Sequence, residues 1–360
     1  LERKLRPGGV LYVSYNTQPG WAAMAPMRDL LAEHAQTMSA PGAGVVNRVE
    51  SALAFAQQLM ATEPVYALLN PHIADRLKGL QRLDRQYLAH EYFNDNWQPM
   101  GFSTMARWLA PAKLQWACSA HYMDTLDAIN LTAEQRALLA SIPDANFRQS
   151  VRDFCVNQQF RKDYWVKGVR QLSPWEQVAQ WRQQGFVLVQ PRAQVNLQVT
   201  GRQAQITYNA DIYTPLLDQL ANHQVHTGGQ LEQALQPHGL ALDVLRQALW
   251  VLCATGAVQP TQDGASAAQA QAPSERLNAH LLEKAHGQTA VHCLASPITG
   301  GGIGVTPFQQ LFLGARQQGL QQPADWGDYA WHILQAQGQC LLKNGQALHR
   351  PEDSLAELQA

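Results

Sequence analysis

The sequence predicts a mixed fold of class α/β plus α, in which a few short strands alternate with many helices. Val10–Tyr15 is a run of β-branched and aromatic residues between Pro-Gly turns, a pattern typical of a buried strand. Amphipathic helices follow at short intervals along most of the chain. Towards its end, three helical patterns precede a strand that begins at Val258, which is the order of a winged-helix domain.

The first part of the chain is predicted to be helical after its strand. Trp21–Met38 carries apolar residues at helical spacing and ends at a Pro-Gly turn, so residues 1–40 form the first segment. Residues 41–96 follow as a helical module. Its helical patterns are Val45–Met60, Val65–Leu69 and His72–Tyr92.

Residues 97–170 are predicted to mix helices with strands. Ser103 is expected to cap one helix and Thr132 another, because Gln135 follows Thr132 in a capping-box pattern. The predicted helices are Phe102–Leu109, Leu131–Ile142 and Asn146–Gln158. The predicted strands are Leu114–Ala120 and Arg161–Val166.

Residues 171–204 are predicted to be a connecting helix and strands, and residues 205–345 a winged-helix-like domain before a flexible tail, 346–360. A link rich in Gln, Ala and Ser, Thr261–Ala272, takes the place of a tight wing and is expected to be mobile. The predicted helices are Pro174–Gln184 (with an apolar stripe of Trp175, Val178 and Trp181), Tyr213–Ala221, Gln230–Gln236, Asp243–Ala254, Ser274–His286, Thr306–Gln318 and Tyr329–Leu342. The predicted strands are Phe186–Val189, Gln194–Val199, Gln203–Tyr208, the strand from Val258, and Ala290–Leu294.

The composition narrows the function classes. The chain has 360 residues, 46% of them hydrophobic, which is enough for two or three cores. Its net charge of -1 gives no overall electrostatic attraction to nucleic acids or acidic membranes. Five scattered cysteines argue against a disulfide framework and indicate a reducing cytoplasm. No apolar run reaches roughly 18 residues, so no membrane span is expected.

Four stretches carry a resemblance to a known family. LRPGGVLYVSYNT begins at Leu5, YNTQPGW at Tyr15, HEYFN at His90 and FRQSVRDFCVNQQFRKDYWVKG at Phe147. Together they resemble the class I S-adenosylmethionine (SAM) methyltransferases, in a bacterial subfamily that carries a regulatory domain. Some members of that subfamily are protein-lysine methyltransferases that act on bacterial outer-membrane proteins.

The resemblance implies that Val10–Tyr15 is the fifth strand of a Rossmann-like sheet and that residues 1–40 are the end of the catalytic domain. Residues 41–96 then correspond to a helical regulatory insertion near the mouth of the active site. The following segment would supply the last strands of the sheet. Leu114–Ala120 and Lys162–Val166 would form a hairpin, with Leu114–Ala120 paired beside the fifth strand.

The same resemblance implies that this chain does not bind SAM alone. In the family, an acidic-Gly-x-Gly loop after strand one and an acidic residue after strand two hold the cofactor, and both precede the fifth strand. We therefore expect the N-terminal SAM-binding half to be missing and the chain alone to be inactive, whereas the complete parent enzyme uses SAM. Thr299–Gly304 has the strand, glycine and helix context of a dinucleotide loop, but Ala295-Ser296-Pro297 stands where an acid is needed, so a structural turn is favoured.

The charge pattern argues against nucleic-acid binding by the winged-helix segment. Residues 205–295 contain three basic and seven acidic residues, and the expected recognition helix carries only Arg246. A winged helix that binds protein or forms a dimer is favoured instead. His223 and His226 have no cysteine nearby, so no metal site is expected.

One candidate substrate-binding cluster lies at the carboxyl end of the first predicted strand. It consists of Tyr12, Tyr15, Asn16, Thr17 and Trp21. That end of an open α/β sheet faces the ligand crevice. There Asn16 can bind a substrate amine, and Trp21 can line a channel for a cationic substrate group. The alternative is a turn in which Asn16 bonds its own backbone and Trp21 packs in the core.

A second candidate cluster closes the helical module. It consists of His90, Glu91, Tyr92 and Asn94. On a functional interpretation it lines the entry to the active site, where His90 or Glu91 helps to remove a proton from a substrate amine. The alternative is a helix C-terminus with a buried Tyr-Phe pair. No residue is assigned as catalytic.

Two functions compete for this sequence. The first is the regulatory and substrate-recognition portion of a SAM-dependent methyltransferase whose parent methylates protein lysine. The second is a non-catalytic interaction or dimerisation module that works with a separate catalytic chain. Without further strands, Val10–Tyr15 would expose an unpaired edge, and such edges seek partners, so a homodimer across it is predicted.

Overall fold

The computed structural model describes residues 2–40, 42–285, 291–343, 346–348 and 350–359. The chain divides into two compact units. The first comprises Leu1–Leu172 and Leu197–Tyr208, and the second comprises Ser173–Asn196 and Asn209–Ala360.

The first unit begins with one strand followed by a series of helices. In chain order, its elements up to Lys167 are β1 (Val10–Asn16), α1 (Ala25–Thr37), α2 (Val45–Ala61), α3 (Val65–Leu69), α4 (Ile73–Gln81), α5 (Arg85–Glu91), α6 (Phe102–Leu109), β2 (Leu114–Ser119), α7 (Asp127–Asn130), α8 (Ala133–Ala140), α9 (Ala145–Cys155) and β3 (Phe160–Lys167). The single helix expected over His72–Tyr92 is two helices, α4 and α5. Asp84 starts the second of them, because its carboxylate accepts the Tyr87 amide and caps α5.

Helix caps were predicted with mixed success. The capping box of α8 is confirmed, with Thr132 and Gln135 bonded reciprocally. The cap assigned to Ser103 is wrong, because α6 begins after Gly101. The Ser103 hydroxyl lies 2.7 Å from that of Ser150 instead.

β3 is the central strand of a three-stranded sheet, with β1 and β2 antiparallel to it on either side. β1 pairs along its whole length, starting with Val10 opposite Val166. The expected strands therefore share one sheet. The direct pairing of Leu114–Ala120 beside Val10–Tyr15 is nevertheless wrong, because β3 lies between them. No other described strand pairs with β1, and the homodimer across its second edge stays a prediction.

Besides a small cluster around Leu139 and Val156, two larger hydrophobic cores stabilise the first unit. One face of the sheet packs on α6, where Phe102 stacks on Trp165 with ring centroids 5.5 Å apart. The other core lies among α1, α2, α4 and α5. Trp21 belongs to this second core and lies in the loop after β1. This loop therefore connects the sheet to the helical module.

The remaining elements build the second unit and one hairpin of the first. They are α10 (Pro174–Gln183), β4 (Gly185–Leu188), β5 (Gln198–Thr200), β6 (Gln205–Thr207), α11 (Ala210–Leu220), β7 (His226–Thr227), α12 (Gly228–Leu235), α13 (Leu242–Ala254), β8 (Val258–Pro260), α14 (Gly264–Ala285), β9 (Cys293–Ala295), β10 (Gly302–Gly304), α15 (Pro307–Gln317), α16 (Pro323–Ala336), β11 (Leu342–Lys343), β12 (Gln346–Ala347) and α17 (Pro351–Gln359). β5 and β6 form the predicted antiparallel hairpin, which belongs to the first unit. In the second unit, β4 lies between β7 and β8.

The winged-helix arrangement is not confirmed. α11, α12 and α13 precede β8 in the expected order, but β8 pairs with β4 from before these helices, and the chain then enters α14. The mobile link expected over Thr261–Ala272 is wrong, because helix begins at Gly264. Its Ala and Gln residues favour helix, and the Asp263 carboxylate accepts the Ser266 amide at 2.9 Å.

The C-terminal elements also differ from expectation. α16 ends at Ala336 and not at Leu342, since Gly338 adopts a left-handed conformation with φ of 67°. The expected flexible tail contains α17, whose Leu358 packs on the core formed with Leu334.

The apolar stripe predicted for α10 is wrong for Trp175, which is 83% exposed. His286 and Ala290, the expected ends of a helix and a strand, lie outside the described residues. None of the helices in the described ranges combines the length and apolar character that crossing a bilayer requires.

Candidate functional site

Charged residues occupy the core face of the central strand β3. Strand alternation places Arg161 and Asp163 on the same face as the buried Trp165. Arg161 donates two hydrogen bonds to Asp163, from Nε to Oδ2 at 2.8 Å and from Nη2 to Oδ1 at 3.0 Å. Its Nη1 donates to Asp153 Oδ1 on α9 at 2.5 Å. The residues Asp153 and Asp163 are at most 1% exposed, so the ion cluster is largely shielded from bulk water.

Asp163 also accepts hydrogen bonds from both neighbouring strands. The Tyr15 hydroxyl of β1 donates to Oδ2 at 3.0 Å, and Trp116 Nε1 of β2 donates to Oδ1 at 2.9 Å. Burial raises the pKa of the Tyr15 hydroxyl, and the Asp163 charge raises it further. Tyr15 therefore stays protonated, and Asp163 holds all three strands of the sheet together.

Asp153 is the incompletely paired member of the ion cluster. Its Oδ2 is buried and has no hydrogen-bond partner among the described residues. Burial raises the pKa of this carboxyl to about 6, and the charge of Asp163 adds to the rise, although Arg161 opposes it. A buried group with this pKa changes its charge in mildly acidic solution.

A cavity of about 400 Å³ lies beside the ion cluster, between α8, α9, β2 and β3. Its lining residues run from Trp116 to Asp163. The charged ones are Asp124, Asp127, Arg136, Arg148, Arg152, Arg161, Lys162 and Asp163. Its size is that of a small-molecule site, and the charged side chains on its wall can pair with a small charged ligand.

Aromatic rings cluster where the loop after β1 meets the helical module. Trp21 makes edge contacts with Tyr92 and Trp97, with ring centroids 5.5 Å and 4.8 Å away. Its Nε1 donates to Asn16 Oδ1 at 3.0 Å. The Arg76 guanidinium lies 4.4 Å from the centre of the Trp21 ring. The chain's own cation thus occupies the face that a substrate cation would need.

The structure joins some predicted site residues and separates others. Asn16, Trp21 and Tyr92, taken from both sequence clusters, meet in the aromatic cluster. The Arg28 guanidinium lies 4.7 Å from the centre of the Trp97 ring, and its Nη2 donates a hydrogen bond to the backbone carbonyl oxygen of Asn94, which connects Asn94 to the cluster. Trp21 is only 3% exposed and faces the interior.

The other predicted residues lie apart from this cluster. Tyr15 is buried in the ion cluster, whereas Tyr12 lies on the opposite face of the sheet with its ring 5.9 Å from that of Tyr164. His90 and Glu91 are exposed at the end of α5. Thr17 is buried, and its hydroxyl donates to the Met100 carbonyl at 2.5 Å.

Sequence reasoning missed the ion cluster and the cavity. A signal existed in β3, because Arg161 and Asp163 alternate with exposed residues and share the parity of Trp165. Charged residues at core-facing strand positions are rarely buried without partners. The partner Asp153 on α9 could not be identified this way, since nothing local links it to β3.

The glycine run and the histidines have structural roles here. Gly302–Gly304 form β10, which pairs antiparallel with β9, and Thr299–Gly301 lie in the turn between these two strands, as the favoured structural-turn prediction requires. His223 Nδ1 lies 2.9 Å from the Leu188 carbonyl oxygen. Among the residues that the structure describes, no three His, Cys, Asp or Glu side chains are grouped as a metal would require.

Comparison with known proteins connects this site to a family. Residues 84–167 match the model of a predicted methyltransferase regulatory domain, and this segment contains every lining residue of the cavity. The uncharacterized protein sll1526 of Synechocystis sp. is 33% identical over 358 residues, which cover 99% of this chain and 69% of that protein.

Two solved structures of PKMT2 from Rickettsia typhi are similar in fold. The complex with AdoHcy has a TM-score of 0.65 at 15% identity and is matched over 98% of this chain and 72% of that one. The other structure has a TM-score of 0.63 at 15% identity, over 99% and 73% of the two chains. This identity is low, so the similarity concerns the fold alone.

Proposed function

The chain belongs to the family of the Synechocystis protein sll1526, and from the match of residues 84–167 to a predicted methyltransferase regulatory domain we propose that it is the regulatory and substrate-recognition portion of a SAM-dependent methyltransferase. The match of residues 84–167 to the methyltransferase regulatory domain makes it a methyltransferase-like protein. The acceptor that we propose is protein lysine, because the YNTQPGW and HEYFN stretches resemble a subfamily that contains protein-lysine methyltransferases.

One observation carries the regulatory part of this proposal. β1 lies before the matched segment, yet it pairs along its whole length with β3 inside that segment. The Gly20 amide after β1 also donates to the Gln158 carbonyl at 2.8 Å, and a Cβ on Gly20 would lie 2.5 Å from that oxygen. A change at the cavity can therefore reach the loop that carries Trp21.

The recognition part of the proposal concerns the exposed end of α5. His90, Glu91 and Asn94 are exposed there, directly beside Tyr92 of the aromatic cluster. A carboxylate on a surface attracts a lysine ammonium at long range and orients it on arrival. In this proposal the buried aromatic cluster fixes the loop after β1, and Glu91 contacts the lysine of the substrate.

We expect this chain alone to give no heat with SAM or AdoHcy in titration calorimetry. Of the described residues, Gly300–Gly304 come closest to a cofactor loop, and they belong to a β-hairpin. AdoHcy added to a complete methyltransferase of the same family serves as the positive control. Stoichiometric binding by this chain would contradict the proposal that the cofactor is held elsewhere.

We expect Glu91→Gln to weaken the binding of a fluorescent Gly-Lys repeat peptide by about two- to fivefold, the range of one exposed ion pair. Glu33→Gln, at an exposed position of α1 in the same unit, is the matched control and should bind like the wild type. The same peptide with acetylated lysines should not bind. Fluorescence anisotropy measures all three, and equal binding by both variants would exclude Glu91 as a contact.

A further inference from the structure

We infer that the cavity between α8, α9, β2 and β3 binds a small organic anion that also donates hydrogen bonds, such as a hydroxylated phosphate monoester or a hydroxycarboxylate. Its volume of about 400 Å³ is in the range of small-molecule sites. The charges and hydrogen bonds of its wall define which chemistry fits.

Of the three arginines on the wall formed by α8 and α9, two have no carboxylate partner among the described residues. Arg152 pairs with Asp127 at 3.1 Å, and Arg161 is held inside the ion cluster. Arg136 and Arg148 have no carboxylate within ion-pair distance in the described part of the chain. These two guanidiniums are therefore available to an anion.

Arg148 is the stronger of the two anchors. It is half-buried, and its Nε and Nη2 both donate to the Ile142 carbonyl oxygen, at 3.0 Å and 2.6 Å. One acceptor thus fixes the guanidinium plane and leaves Nη1 without a partner among the described residues. A fixed, planar guanidinium suits a carboxylate or phosphate because little freedom is lost on binding.

The cavity also contains an unpaired hydrogen-bond acceptor, which requires a donor on the ligand. Gln158 lines the cavity, is only 4% exposed, and its Oε1 has no hydrogen-bond partner among the described residues. Its Nε2 donates to the Phe160 carbonyl at 2.7 Å, which sets the orientation of the amide. Buried acceptors are normally paired, so the occupant should supply a hydroxyl or ammonium donor as well as a negative charge.

The position of the site suggests what the occupant does. Arg161 and Asp163 line the same cavity, and Asp163 holds Tyr15 of β1. An anion beside Arg161 competes with Asp163 for the guanidinium and so acts on the three-stranded sheet. This regulatory role rests on the proposed function, whereas binding itself does not.

Indole resonances of the ¹⁵N-labelled chain test the inference without assuming any activity. Trp116 lines the cavity, and its indole N–H donates to Asp163, so we expect glycerol 3-phosphate or L-lactate to shift this signal in a saturable way. The exposed Trp175 should not move, and neutral glycerol should have no effect. A shift with only one anion identifies the phosphate or the carboxylate as the recognised group.

Arg136→Gln together with Arg148→Gln should weaken this binding by about tenfold or more, because two charge-assisted contacts are lost. Arg136→Gln alone changes an exposed position and is therefore not expected to impair folding. It should weaken the binding of the anion by about threefold. Arg3→Gln with Lys4→Gln makes the same charge change away from the cavity and should bind normally. An unmoved Trp116 signal with both anions, or equal affinity of all variants, would overturn the inference. Either result would leave the lysine-peptide and SAM experiments unaffected.

Discussion

Replacing Arg161 with methionine is expected to lower the free energy of unfolding of the first unit by about 3–5 kcal/mol, the usual cost of removing one partner from a buried ion pair. Methionine fills similar space but donates no hydrogen bond. Asp153 and Asp163 would then remain buried without their shared cation. Of the side-chain hydrogen bonds that described residues donate to its carboxylate, Asp163 would keep those from Tyr15 and Trp116.

Urea unfolding followed by hydrogen exchange and mass spectrometry measures this loss in peptides that cover β1 and β3. Arg107→Met is the matched control, because Arg107 is exposed on α6 and, among the described residues, its side chain bonds only the Thr104 hydroxyl. Its effect should stay within about 0.5 kcal/mol. Equal stability of the two variants would show that the ion cluster does not stabilise the sheet.

The sheet around Arg161 contains features that could be predicted from the sequence and one, the order of its strands, that could not. Local signals identified β1 and β3 correctly, because alternation and bounding turns are properties of neighbouring residues. The order of the strands could not be predicted from neighbouring residues. Whether β2 or β3 lies beside β1 depends on which side chains can share a buried partner. Asp163 bonds Tyr15 and Trp116 from opposite sides, which requires β3 in the middle.

The candidate site was predictable to a similar extent. Two separate motifs predict Trp21 and Tyr92 as candidate site residues, and the two rings lie in contact. Their surroundings were not predictable, since Arg76 comes from α4 and covers the indole face through a tertiary contact. The first half of α14 was missed for a different reason, whereas its second half lies within the predicted helix Ser274–His286. Its Ala- and Gln-rich start resembles a linker in composition, although the same residues have high helix propensity.

Asp153 provides the second large expected effect, a dependence of stability on pH. Its pKa is about 6 in the folded protein and 3.8 as an ordinary carboxyl. Between these pH values the folded state binds more protons than the unfolded state, so the stability of the wild type falls as pH rises through this window. Arg161 and Arg152 favour the ionised carboxylate, but burial and Asp163 outweigh them.

Asp153→Asn removes this titration, because an amide does not ionise. The variant should therefore gain stability relative to the wild type as pH rises from about 4 to about 6, by up to about 3 kcal/mol, with no further gain above that pH. Thermal unfolding of both proteins at several pH values measures the difference, and Asp95→Asn controls for the loss of one exposed carboxyl group. A gain that instead grew as the pH fell would mean that Arg161 dominates burial and lowers the pKa of Asp153. The incompletely paired oxygen of Asp153 would then be stabilised by a partner such as bound water, and the ion cluster would lose stability in acid instead of gaining it.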